Sequence, residues 1–217
     1  MKAEIYPGIL THNLEEYISR LEMIEESTSK WVHIDVMDGQ FVPNISVMPY
    51  EFMSIPTRLQ TEVHLMAYHP ERYYSDLTVA GVSRVLIHRE AYESFEECAA
   101  ALKHAGDYFS EVGLVINLDT PIEPYNELPV QVIQCMGVVP GASGRELDRE
   151  VYGKIKTIAA QKSIPLIAVD GGVHEDTVQE LQKAGAERFV VTSALYVANN
   201  VNQNLQHFIQ LLAGGIA

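Results

Sequence analysis

Apolar positions along this chain follow two patterns: short unbroken runs rich in Val, Ile and Leu, and longer stretches in which apolar residues recur every third or fourth position. The first reads as buried β-strand and the second as one face of an α-helix. Strands are predicted at 5–10, 31–36, 61–66, 84–88, 112–117, 130–136, 165–170 and 188–192. Helices are predicted at 13–26, with Leu14, Tyr17, Ile18, Leu21 and Ile24 on one stripe, and at 70–79, 94–104, 145–161, 177–184 and 202–212. The second and fifth crossovers are poorer, offering only short helical pieces at 48–55 and 122–128. Eight strand-helix units of this length imply a closed parallel (β/α)8 barrel, the TIM-barrel class. A doubly wound open sheet alternates strands and helices in the same way and is the competing architecture.

Placement of the candidate chemistry favours closure. His33 and Asp35, in His33-Ile34-Asp35-Val36-Met37-Asp38-Gly39, stand two residues apart on a strand and therefore point to one face. His64 in Val63-His64-Leu65-Met66 and Asp170 in Val169-Asp170-Gly171-Gly172 sit in the same way near strand ends. Two histidines and two aspartates make a four-ligand nitrogen and oxygen set that suits zinc. A closed barrel readily brings the ends of strands two, three and seven around one centre.

Size and composition narrow the picture further. A length of 217 residues fits a single barrel domain over 1–217, and no Pro/Ser-rich linker, low-complexity tract or internal repeat divides it. Nearly half the residues are apolar and a fifth are charged, as in a soluble globular enzyme. A formal charge of −14 without a compensating Lys/Arg cluster argues against nucleic acid and anionic membrane as partners. Cys98 and Cys135 lie far apart, in no CxxC pair, and read as buried free thiols of a reducing cytosol. Residues 1–4 enter a strand-like run without an apolar leader, and no stretch approaches eighteen apolar residues, so a cytoplasmic location is expected.

Three loops after late strands are built from small residues: Pro140-Gly141-Ala142-Ser143-Gly144, Asp170-Gly171-Gly172 and Thr192-Ser193-Ala194. Small residues let backbone N–H groups approach an anion, and a following helix adds its positive end. In a barrel these adjacent loops are the usual phosphate site. Arg145 either adds charge there or is a solvated cation in the first turn of the next helix. Asp38 reads as a turn residue with Gly39, because its side chain points away from Asp35. His12, His69, His104, His174 and His207 carry no ligand pattern, and His88 either lines the barrel mouth or packs there. Taken singly, the methionines read as core filler.

Several long motifs resemble the ribulose-phosphate 3-epimerase family, over nearly the entire chain. They are His33 through Asn44 (HIDVMDGQFVPN), Val63-His64-Leu65-Met66, His88-Arg89-Glu90-Ala91, Asn117-Leu118-Asp119-Thr120-Pro121, Met136 before Pro140-Gly141, and Val169-Asp170-Gly171-Gly172-Val173. The resemblance implies a ribulose-phosphate-binding (β/α)8 barrel and one divalent metal per subunit, commonly zinc, with iron, cobalt or manganese as alternatives. It also implies reversible inversion at C3 of a ketose phosphate, and a homo-oligomer, dimer or hexamer. Carried onto matching positions, the metal ligands are His33, Asp35, His64 and Asp170. Asp35 and Asp170 double as the acid/base pair, working through a metal-stabilised cis-enediolate. Met37, Met66 and Met136 would line the reacting centre. Gly8, Gly141, Ala142, Ser143, Gly144, Gly171, Gly172, Thr192 and Ser193 would take the remaining substrate contacts.

The chain departs from the family pattern at substrate-binding positions. Pro7-Gly8-Ile9-Leu10 stands where most members have Pro-Ser-Ile-Leu. Pro140-Gly141-Ala142-Ser143-Gly144-Arg145 replaces Pro-Gly-Phe-Gly-Gly-Gln, and Thr192-Ser193 replaces Gly-Ser. D-Ribulose 5-phosphate is therefore the default substrate, beside a hexulose phosphate or a free ketose. Orotidine-phosphate decarboxylase and hexulose-phosphate synthase relatives depend on Asp-x-Lys-x-x-Asp, and Met37 occupies that lysine position. A non-catalytic sugar-phosphate sensor is the other alternative, though such a module would be free to lose ligands and none is lost.

Overall fold

The computed structural model describes residues 3–161, 163 and 165–214. Met1 and Lys2, Lys162, Ile164 and residues 215–217, all within the expected 1–217 domain, lie outside those residues. Eight parallel strands, β1 (Glu4–Ile9), β2 (Trp31–Met37), β3 (Gln60–Met66), β4 (Arg84–His88), β5 (Glu111–Ile116), β6 (Val132–Met136), β7 (Leu166–Asp170) and β8 (Arg188–Val191), pair in sequence order. The sheet closes where β1 pairs with β8, from Glu4 against Arg188 to Pro7 against Val191. The open-sheet alternative is excluded by that closing pair.

Helices α1 (Leu14–Glu25), α2 (Pro49–Phe52), α3 (Tyr74–Val79), α4 (Phe95–Ala105), α5 (Glu150–Ala159), α6 (Val178–Ala184) and α7 (Val201–Leu212) cover the outside. Side chains of Asn13, Ser94 and Asn200 accept N–H bonds at the starts of α1, α4 and α7, relieving donors that have no partner within the helix. α7 buries Val201, Leu205, Phe208 and Leu212 on one stripe against the sheet. The poorer crossovers are short, as expected: α2 spans one turn, and a 3-10 turn, Tyr125–Glu127, is the only helical piece between β5 and β6 among the described residues. No helix among them is long and apolar enough to cross a membrane.

One predicted boundary is displaced. The helix expected from 145 begins at Glu150, because the preceding residues are extended over the adjacent loops. Leu147, whose spacing continues the apolar stripe of α5 backwards, instead packs over Gly172. Asp148 donates its N–H to the Gly137 carbonyl (2.8 Å), and its side chain accepts from Glu150 N–H (3.0 Å).

The main apolar core lies between sheet and helices, while the barrel interior is mixed. A small apolar cluster of Leu86, Val115, Val132, Met136 and Ala168 shares the interior with buried Glu62, Arg84 and Arg188 near the strand N-termini. Arg84 Nη1 donates to Glu62 Oε2 (2.6 Å) and its guanidinium lies over Trp31 (4.5 Å). Arg188 lies over Tyr6 (4.3 Å), which stacks on Trp31. Cys98 and Cys135 are free and buried.

Candidate active site and metal centre

Alternation along β2 sends His33 and Asp35 into the barrel. Register then places Asp35 beside His64 of β3, while Asp170 ends β7. One ligand atom from each of these four buried residues lies within 4.8 Å of the others. His64 Nδ1 is 2.8 Å from Asp35 Oδ1 and 3.3 Å from Asp170 Oδ2. His33 Nε2 is 3.4 Å from Asp35 Oδ1 and 3.8 Å from Asp170 Oδ2.

Hydrogen bonds on the far side of each imidazole fix which nitrogen faces the cluster. His33 Nδ1 bonds Glu62 Oε1 at 2.8 Å, so Nδ1 carries the hydrogen and the Nε2 lone pair points inward. That Nε2 is buried and has no hydrogen-bond partner. His64 is turned the other way, with Nε2 2.8 Å from His88 Nε2 and Nδ1 facing the aspartates. His88 Nδ1 in turn bonds Glu90 Oε2 (2.8 Å), and Glu90 accepts from Asn117 N–H and the Thr120 hydroxyl. Gln134 donates to Asp170 Oδ2 (3.3 Å). Two inward imidazole lone pairs and two carboxylates, with outward N–H groups anchored, fit a divalent ion.

The electrostatics agree. Burial opposes charge on His33, yet the nearby Asp35 carboxylate and the bond to Glu62 raise it to about 10, and His64 is likewise raised against burial by Asp170 and Asp35. Asp35 is pushed up by burial but pulled below the usual carboxylate range by the two histidines. A site that holds protons on imidazoles so strongly concentrates negative charge, the condition that a divalent cation answers. His88 behaves oppositely: burial and neighbouring His64 bring it down to about 4 despite Glu90, so it is neutral and can accept from His64.

A small open cavity lies above the cluster at the C-terminal ends of the strands. Asp35, His64 and Asp170 reach it from below. Met66 and Met136 line it, as do Gly141, Ala142, Ser143, Gly144, Gly171, Gly172, Thr192 and Ser193. The three small-residue loops thus meet on one wall. Gly141, Gly144, Gly171 and Gly172 have positive φ, whereas Ala142, Ser143 and Thr192 do not, so the larger residues avoid the left-handed region that favours glycine. The loop after β2 bridges the mouth, with Asn44 Nδ2 donating to the Gly141 carbonyl (2.6 Å) and Val42 against Gly141.

A model of the Ribulose-phosphate 3 epimerase family matches residues 4–196. The chain belongs to that family. Its membership makes it an isomerase of the racemase and epimerase class. A ribulose-phosphate 3-epimerase of Mycobacterium tuberculosis H37Rv is 34% identical over 178 residues, covering 78% of this chain and 76% of that one. The Bacillus subtilis 168 enzyme of the same name is 32% identical over 202 residues, covering 89% and 92%. Among solved structures, orotidine 5′-phosphate decarboxylase of Pyrococcus horikoshii superposes with a TM-score of 0.65 at 14% identity, covering 97% of this chain and 99% of its own. Phosphoribosyl anthranilate isomerase of Thermus thermophilus gives 0.65 at 16%, covering 97% and 98%. These two structures share the barrel fold.

Within this epimerase-family barrel most of the expected site residues converge, and some lie off the cavity wall. Met37 is fully buried and packs with Val42 and Met66 rather than on the cavity wall, and Gly8 lies buried beside Thr192. Asp38 serves its turn, accepting from Gln40 and Phe41 N–H. Arg145 lies on the loop, five residues before α5 begins, not in a helical turn. With α5 starting at Glu150 and α6 at Val178, neither helix opens directly onto the first two small-residue loops. Only the third runs straight into a 3-10 turn, Ser193–Asn199. Sequence reasoning left out Glu62, Glu90 and Gln134 and undervalued His88. Glu62 stands two residues before His64 on one strand face, and Glu90 two after His88, a spacing that could have exposed both.

Proposed function

We propose that this protein inverts C3 of a ketose phosphate, with D-ribulose 5-phosphate and D-xylulose 5-phosphate as the default pair. The observation that carries this reading is the convergence of Asp35 and Asp170, from β2 and β7, on one buried cluster beneath a cavity walled by small-residue loops. Inversion needs a proton removed from one face of a carbon and another delivered to the opposite face, which two carboxylates from different strands can do. One aspartate accepts the C3 proton while the other, protonated, donates. The roles exchange in the reverse direction.

His33 Nε2, Asp35, His64 Nδ1 and Asp170 would hold the divalent ion, zinc by ligand chemistry or iron, cobalt or manganese by availability. When bound, the ion supplies electrophilic stabilisation of the negative charge that develops as a proton leaves carbon beside a carbonyl. Met66 and Met136 keep water and competing hydrogen bonds from the reacting carbon. Backbone N–H groups of the glycine loops receive the phosphate, a role that an acidic protein can perform with neutral dipoles. The same reading includes a cytoplasmic homo-oligomer, dimer or hexamer, whose mass light scattering would measure.

The test is solvent-deuterium incorporation at C3 of ribulose 5-phosphate by protein reconstituted with Zn²⁺, Fe²⁺, Co²⁺ or Mn²⁺. Epimerisation with deuterium uptake, lost in Asp35→Asn and Asp170→Asn, supports the reading. Stoichiometric sugar-phosphate binding without exchange under all four metals would make the protein a sensor. Hexulose 6-phosphates and free ketoses in the same panel decide between the substrate classes.

A further inference from the structure

Gly8 sits inside a regular strand, paired with His33, and its φ is not positive. Nothing in the backbone therefore requires glycine, which in a strand interior sacrifices packing and unfolded-state entropy. The reason is steric. A β-carbon at position 8 would approach Thr192 Oγ1 closer than the 3.0 Å that real β-carbons keep, with Thr192 Cβ and Val190 Cγ1 each at 3.2 Å. Thr192 has taken the side-chain space of its neighbour across the β1–β8 seam.

The position of that hydroxyl gives the exchange a purpose. Val190 is in register with Asp170, and Thr192 lies two residues farther along the strand direction, about 6–7 Å toward the barrel mouth. The backbone carbonyl of Thr192 is engaged by Leu195 N–H (3.1 Å), while the residue itself lines the cavity beside Ser193. Thr192 thus stands at the base of the third small-residue loop, one step above the level of the aspartate pair and facing the other two loops across the cavity. A sugar phosphate spanning those two places presents its secondary hydroxyls there.

We propose that Thr192 is a specificity-determining residue whose hydroxyl bonds a secondary hydroxyl of the substrate, and that Gly8 is glycine to make room for it. This rests on the sugar-phosphate reading above. The experiment compares Thr192→Val, isosteric without the hydroxyl, with Thr192→Ser, which keeps it. Each is assayed on ribulose 5-phosphate and titrated calorimetrically with xylitol 5-phosphate, an analogue lacking the carbonyl. Thr192→Val should raise KM and the analogue's Kd about tenfold, with a smaller change in kcat, and Thr192→Ser should recover most of the loss.

A second cycle tests the steric half. Gly8→Ser alone should lower thermal stability, and Gly8→Ser combined with Thr192→Gly should restore it. Wild-type KM and analogue affinity in Thr192→Val would overturn the contact, and an undiminished melting temperature in Gly8→Ser would overturn the interlock. Wild-type protein that binds neither compound would instead remove the functional reading beneath both.

Discussion

Glu62, wholly buried, bonds His33 Nδ1 at 2.8 Å through one carboxylate oxygen and Arg84 at 2.6 Å through the other. Burial works against its charge, but His33, Arg84 and Arg188 hold its pKa down at about 2. The inward lone pair of His33 is thus set by a charge pair on the barrel floor. Glu62→Gln should retain the fold and weaken metal affinity about 10–100-fold. Competition titration against a chromophoric chelator measures this, and unchanged affinity would refute the dependence.

The second imidazole hangs on a longer chain, from His64 through His88 to Glu90. Replacing His88 by Leu leaves the His64 Nε2–H buried without an acceptor, at a cost of about 1–3 kcal/mol. Metal affinity and melting temperature should both fall. A Co²⁺-substituted protein should also show an altered ligand-field spectrum, and an identical spectrum would place His88 outside the metal centre's control.

Gly137 accounts for the close contact of two loops. A β-carbon there would run into the Gly171 carbonyl and the Leu147 side chain, while its own N–H donates to the Asp170 carbonyl (2.7 Å). Gly137→Ala should destabilise the protein by about 1–3 kcal/mol through overpacking. It should also raise the inhibition constant for inorganic phosphate, measured by competition. Wild-type stability in this variant would show that the loops separate freely.

Cys98 and Cys135 are raised by burial from the usual 9 to about 12. At pH 8 neither offers thiolate, so native protein should resist a disulfide reagent that modifies both cysteines after denaturation. Above pH 9 the unfolded chain releases two thiol protons that the folded chain retains. Stability should therefore fall as pH rises from about 9 toward 12, in urea titrations at stepped pH. A Cys98→Ala/Cys135→Ala protein should lose part of that slope.

The alternation of apolar strands and amphipathic helices made the eight-stranded barrel legible, since each strand needed only local pattern and length. His33, Asp35, His64 and Asp170 were legible because alternation and strand ends fix where such residues point. What escaped depends on contacts between distant segments. Leu147 continues a helical period yet is claimed by Gly172, and Met37, two residues past Asp35, is packed between Met66 and Val42 from other segments. Gly8 and Thr192 read as separate departures in the sequence, and only closure of β1 on β8 reveals them as one exchange.

The buried charges at the barrel floor blur the usual separation between a stabilising end and a reactive end of this fold. Arg84 and Arg188 sit at the N-terminal ends of their strands, away from the open cavity. Through Glu62 they nonetheless set the tautomer of a residue in the cluster. A saturation-mutagenesis map of this protein should accordingly show a second island of activity-sensitive positions at the N-terminal end of the barrel, away from the proposed substrate cavity.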